Sequence, residues 1–166
     1  MDLILIRHAE AFERDATRWP DDRERPLTPR GVKRFRGMAR TLGMVLPEGS
    51  LVWTSGLKRA MQTAVILAGE AQVESPAVCR PLEPDGSIAA LARRIISRRD
   101  ASGIVLVGHE PDLGRIAAYW LLGHANGTRI GFKKGGAACI RFDTSIRPGH
   151  GMLIWLLTPR LVLDRA

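Results

Sequence analysis

Six short apolar runs punctuate the chain: LILI (3–6), SLVWT (50–54), PAVC (76–79), GIVLVG (103–108), AACIRF (137–142) and MLIWLL (152–157). Several are continuously apolar rather than alternating, the pattern of strands covered on both faces in a mostly parallel sheet. Helical spacing fills the intervals. The clearest helix starts at Thr28-Pro29, where Thr caps the first turn and Pro takes its first position. Val32, Phe35, Met38, Ala39 and Leu42 then form one stripe, with Lys33, Arg34, Arg36 and Arg40 off it. Further helices are predicted over about 57–70, 87–99 and 111–122. Strands alternating with helices predict an α/β fold: a three-layer α/β/α sandwich with a mostly parallel central sheet, formed as one domain over residues 1–166. The irregular stretch 12–27 and the Gly-rich stretch 123–136 are the two long loops and the expected rims of a site.

Composition narrows the ligand more than the fold. A chain of 166 residues is long enough to bury a sizeable core. Lys and Arg number 25 against 17 Asp and Glu, a formal charge of +8, which attracts anions. With 5% aromatic residues, no stacking motif and Arg spread along the chain, specific nucleic-acid binding is not expected. No apolar stretch is long enough to span a membrane, and Met1-Asp2 leads into a strand without the basic start of a signal peptide, so a cytoplasmic protein without membrane partners is expected. Cys79 and Cys139 fall in no ligand spacing and read as reduced packing residues.

Ligands of open α/β sheets bind at the carboxyl ends of the strands, so the residues that follow each apolar run carry the chemistry. Arg7-His8 follows the first run, Lys58-Arg59 opens the helix after the second, and Gly108-His109 ends the fourth. LILIRH and IVLVGH even rhyme. Any one of these, alone, is more often structural than chemical. Cations in a helix's first turn oppose its dipole, however, which is tolerable where an anion is expected. Two histidines and two arginines together suit a phosphoryl group: arginine forks match its oxygens, and a neutral imidazole can attack phosphorus. Arg7 and Arg59 near His8 would keep it neutral. Metal hydrolysis lacks an HExxH or HxH pattern, and a serine hydrolase lacks GxSxG. His124 and His150 stand in Gly contexts and read as surface residues.

These motifs resemble the histidine phosphatase superfamily (branch 1, phosphoglycerate mutase-like), and within it the short SixA-type phosphohistidine phosphatases, essentially end to end. Arg7-His8-Ala9 is similar to the family's Arg-His-Gly signature, RPLTPRG (25–31) to its helix entry, SGLKRAMQTA (55–64) to its Arg-bearing helix, and VGHEP (107–111) to the segment with the second histidine. GGAACIRFD (135–143) and WLLTP (155–159) resemble its closing strands. The resemblance implies that His8 is the nucleophile, that Arg7, Arg59 and His109 hold the phosphoryl oxygens with Ser55 among the substrate-binding residues, and that no metal or organic cofactor takes part.

Two departures sharpen this expectation. Ala9 replaces the usual Gly, which requires a negative φ there. The chain also lacks the insertion that brings an acidic general acid to other members; Glu83 and Glu10 are the nearest candidates, each a plausible loop carboxylate instead. An imidazole leaving group, whose conjugate acid has a pKa of about 6.5, needs less help than an alkoxide. A phosphohistidine-bearing phosphotransfer protein is therefore the expected partner, with phosphate or another small anion in the pocket. The alternatives are a phosphomonoesterase of small substrates and a non-catalytic module for phosphate or polyphosphate, to which Lys133 and Lys134 could add charge.

Overall fold

The computed structural model describes residues 1–126 and 130–163; positions 127–129 of the Gly-rich stretch and the last three residues lie outside the described residues. Its strands are β1 (Asp2–Arg7), β2 (Leu51–Thr54), β3 (Ala77–Val78), β4 (Gly103–Gly108), β5 (Ala137–Arg141) and β6 (Met152–Leu157). Its helices are α1 (Pro29–Gly43), α2 (Lys58–Ala71), α3 (Ile88–Ile96), α4 (Asp112–Leu122) and α5 (Pro159–Leu163). One sheet orders the strands β3-β2-β4-β1-β5-β6, with β1 to β4 parallel and β5 antiparallel to both neighbours.

The uninterrupted apolar runs are explained by burial on two sides. Leu3, Leu5, Ile104 and Leu106 pack against Leu91 and Ile95 of α3 and Ile116 and Trp120 of α4. Ile4, Ile6, Val105 and Val107 face the other way, against Phe35, Met38 and Leu42 of α1 and Ala60, Ala64 and Leu67 of α2. The mostly parallel three-layer sandwich expected from the pattern is what forms. Cys79 and Cys139 are buried free thiols in it, and burial pushes the Cys139 thiol up to about 12.

The edges depart from expectation. MLIWLL reads like the buried strands, yet Met152, Leu153, Ile154 and Leu156 are exposed: β6 lies at the edge of the sheet, where only its Trp155 and Leu157 pack against the core. β3, at the other edge, keeps only two residues of PAVC. α3 stops at Ile96, where Ser97 caps it, short of residue 99. No helix among the described residues is long and apolar enough to cross a membrane.

Pairing of β1 with β4 sets the site. Arg7 lies opposite Gly108, and the His8 amide donates to the Gly108 carbonyl at 3.0 Å, so the next residues on both strands, His8 and His109, emerge side by side. α4 carries the chain away from this end, whereas β5 begins at it, with Ala137 opposite Ile6, and so runs antiparallel to β1. The RPLTPRG segment closes the remaining flank. Thr28 Oγ1 accepts from the Gly31 amide at 2.9 Å, and the Thr28 amide donates to the Glu10 carbonyl at 3.0 Å. A Cβ at position 31 would collide with that same carbonyl, which is why a glycine opens α1 against the strand end.

Candidate active site

His8 and His109 are both buried, with ring centroids 5.1 Å apart. His8 Nδ1 stands 2.7 Å from the Ala9 carbonyl oxygen, which can only accept. Nδ1 therefore carries the proton, and the neutral ring keeps its lone pair on Nε2. His109 Nε2 is 2.7 Å from Ser55 Oγ, and the Ser55 amide is itself tied to the Val107 carbonyl of β4 at 3.2 Å. Both rings line a cavity of ≈ 410 Å³ together with Arg7, Arg59, Arg25 and Lys134. A second cavity of ≈ 420 Å³, near Met1, Phe142 and Arg147, lies at the opposite end of β1 and contains no histidine.

The arginines are held by their far ends. Arg7 Nη1 donates to the Phe132 carbonyl at 2.7 Å, and Arg59 Nη1 to the Asp22 carbonyl at 2.7 Å, with Arg59 Nη2 3.0 Å from Asp22 Oδ2. In both side chains the buried Nε has no hydrogen-bond partner. An unsatisfied buried donor costs about 1–3 kcal/mol, and both arginines that carry one line the same cavity, an arrangement that suits an acceptor with several oxygens. Asp22 also meets Arg25 Nε at 2.7 Å and Arg14 Nε at 3.6 Å, gathering three guanidinium groups at the mouth.

Electrostatics keep both rings neutral at pH 7. Burial, then the neighbouring His109 and the two arginines, lowers the His8 pKa to about 3; burial, then Arg59 and Arg7, lowers that of His109 to about 4. In the unfolded chain both titrate at about 6.5. Between those limits the unfolded state binds protons that the folded state does not, so stability is complete above pH 6.5 and declines as the pH falls toward 4. The slope is up to about 1.4 kcal/mol per pH unit for each histidine. Urea denaturation midpoints measured between pH 6.5 and 5, above the carboxylate range, are expected to drop steadily for the native sequence and less for His8→Ala; identical slopes would contradict the assignment.

The structure brings His8, His109, Arg7 and Arg59 together, and it places the other expected residues elsewhere. Ser55 is wholly buried behind His109 and touches that ring rather than lining the cavity. Glu83 is clamped by Arg23 in a two-pronged pair of 2.9 and 3.1 Å, which holds its carboxyl below the usual range and outside the cavity. Glu10 sits beside Arg30 at 3.9 Å, also outside it. Lys58 points to Glu24 on the surface. His124 and His150 are exposed. Ala9 is buried without a positive φ, so its methyl group is accommodated.

Several contributors are not evident from local sequence. Gln62 Oε1 accepts from the Leu27 amide at 2.8 Å, and Thr63 Oγ1 from the Ala9 amide at 3.0 Å; with Arg59 they occupy one face of α2 at i, i+3 and i+4. That spacing was the available signal. Arg25 and Asp22 gave none beyond the charge density of DDRER. Among the described residues no group of three or more His, Cys, Asp or Glu side chains is arranged to hold a metal ion.

Comparison with known proteins agrees with this geometry. An uncharacterised protein of Picosynechococcus sp. is 34% identical over 98% of this chain and 99% of its own. The structure of the protein histidine phosphatase SixA complexed with tungstate superposes with a TM-score of 0.82 at 25% identity, covering 96% of this chain and 97% of that one. Phosphoserine phosphatase from Entamoeba histolytica, a His-to-Ala mutant bound to phosphoserine, shares the fold with a TM-score of 0.69 at 18% identity over 98% and 99%. The sequence profile of the histidine phosphatase superfamily (branch 1) matches residues 3–81, which span the Arg7-His8 strand end, the α1 entry and the whole of α2. The chain belongs to the histidine phosphatase superfamily, branch 1.

Proposed function

We propose that the protein is a phosphohistidine phosphatase that hydrolyses a protein-borne phosphohistidine through a covalent phospho-His8 intermediate. The observation that carries this reading is the neutral His8, its Nε2 lone pair left available by the Nδ1 contact to Ala9, beside two arginines whose buried Nε groups lack acceptors. The likeness to a SixA structure holding tungstate, an oxyanion of phosphate's shape, supports it.

In the first step His8 Nε2 attacks phosphorus, the P–N bond to the substrate imidazole breaks, and Arg7 and Arg59 take up charge on the equatorial oxygens. His109 donates through Nδ1, which requires the Ser55 hydroxyl to donate to Nε2 and fixes the ring as the Nδ1–H tautomer. The leaving imidazole departs neutral when its other nitrogen carries a proton. Water then attacks phospho-His8, releasing inorganic phosphate and restoring the free ring.

The leaving group is argued from the acids. Of the carboxyls on the cavity, Glu110 accepts from the Phe132 amide at 2.6 Å and Asp112 from the Asp85 amide at 3.0 Å, while Glu13 and Asp85 are exposed. No buried carboxyl without a polar partner stands beside His8 among the described residues, which favours a leaving group that needs no strong acid. Turnover of a phosphohistidine protein compared with a panel of phosphate esters tests this. A kcat/KM at least tenfold higher on phosphohistidine is expected. Preference for esters would overturn the substrate and make Asp85 the acid to test; phosphate binding without turnover would overturn the activity.

A further inference from the structure

Beside the His8 cavity lies a second, shallower one of ≈ 350 Å³ whose charged wall is Arg30, Arg34, Lys133, Lys134, Arg160 and Glu10. Its five cations come from three separate segments, α1, the turn before β5, and α5, and two of them meet carboxylates: Arg30 with Glu10 at 3.9 Å and Lys134 with Glu13 at 3.9 Å. Lys134 lines both cavities, so the groove formed by the second adjoins the first.

The joint is held firmly. The Gly135 amide donates to the carbonyls of Arg7 and His8, at 3.1 and 3.0 Å, and the Gly136 amide to Lys133 at 2.7 Å. Gly135 has φ +75°, a conformation that suits glycine. The turn that presents Lys133 and Lys134 is therefore bonded to the backbone of Arg7 and His8, which sets where the two lysines leave the chain relative to His8.

Resting on the phosphohistidine reading above, we infer that this groove binds an acidic stretch of polypeptide in the phosphorylated protein, next to its phosphohistidine. A groove holding several dispersed cations attracts a ligand with several dispersed anions. Glu10 in the wall, and Glu13 at 3.9 Å from Lys134, argue against a chain that is charged at every unit, such as polyphosphate. A polypeptide can set a neutral residue opposite each carboxylate and still meet the arginines and lysines.

The test uses two phosphohistidine peptides that differ only in acidic or neutral flanking residues, and the double variant Arg30→Gln/Arg160→Gln, neither of whose positions lines the His8 cavity. The native enzyme should favour the acidic peptide roughly tenfold in kcat/KM, through KM, with the margin shrinking at about 0.5 M salt. The double variant should lose that margin and hydrolyse the neutral peptide at the native rate. Equal use of both peptides by the native enzyme, or a preference that survives in the double variant, overturns the groove. So does tripolyphosphate inhibiting more strongly than an unphosphorylated acidic peptide, with the effect lost in the double variant. If both phosphopeptides are inert while p-nitrophenyl phosphate is hydrolysed, the substrate reading fails; the groove is then judged by the unphosphorylated acidic peptide, whose inhibition of the native enzyme but not the double variant upholds it and whose failure to inhibit overturns it.

Discussion

His8→Ala protein is expected to turn over phosphorylated substrates at least about 10⁴-fold more slowly than the native enzyme and to form no acid-labile phosphoenzyme. The Ala9 contact and the burial of the site leave the Nε2 lone pair of this ring in nucleophilic form at neutral pH. Its neighbour cannot take over, because His109 is bonded at Nε2 to Ser55. The fold should survive, since the ring borders an existing cavity rather than the packed clusters on either face of the sheet. Rapid quench with ³²P-labelled substrate reads the intermediate directly. A His8→Ala enzyme within tenfold of native activity, or a label retained on another residue, would remove His8 from its role.

Arg59→Ala should cost about 10³-fold in kcat/KM and weaken inhibition by inorganic phosphate, because it deletes a preorganised donor from the phosphoryl site. The loss exceeds that of one donor for a structural reason. Arg59 is 3% exposed and anchors Asp22 by both its carbonyl and its carboxylate, so the truncation also frees the loop that carries Arg25 and Arg14. Arg59→Lys should recover little, since an ammonium cannot hold Asp22 and a phosphoryl oxygen along two edges of one planar fork. Arg23→Ala, which breaks the exposed pair with Glu83, serves as the control and should stay within twofold. Equal losses in the two variants would show that Arg59 acts through loop stability rather than contact with phosphate.

Much of the architecture could be read along the chain because two-sided burial leaves so plain a trace. LILI and IVLVG are uninterrupted since each alternate side chain meets a different helical layer, and their rhyme reflects adjacent parallel strands in register. The edge was not legible: MLIWLL has the same composition as a central strand, and its exposure depends on how little of the helical layers reaches the last strand of the sheet. Nor was the direction of β5, which depends on which end of β1 its first residue, Ala137, stands against. In the site, strand-end position and first-turn placement made His8, His109, Arg7 and Arg59 visible. Arg25 and Asp22 escaped notice because their role comes from contacts to Phe12 and Arg59 across an irregular loop with no period. Ser55 was assigned to the substrate because sequence gives a residue's neighbourhood but not which way its hydroxyl turns.

The parallel pairing of β1 with β4 also sets the order of events as the chain is made. His8 emerges from the ribosome about a hundred residues before His109, and the strand that seats it, Asp2–Arg7, gains its two neighbours only when Gly103–Gly108 and Ala137–Arg141 have been synthesised. Asp2 is fastened by Arg141 at 2.8 Å, and the Met1 amino group by the Phe142 carbonyl at 2.9 Å. A nascent or truncated chain lacking those strands thus carries His8 without His109, and the two rings can face each other only once β4 has been made and paired with β1.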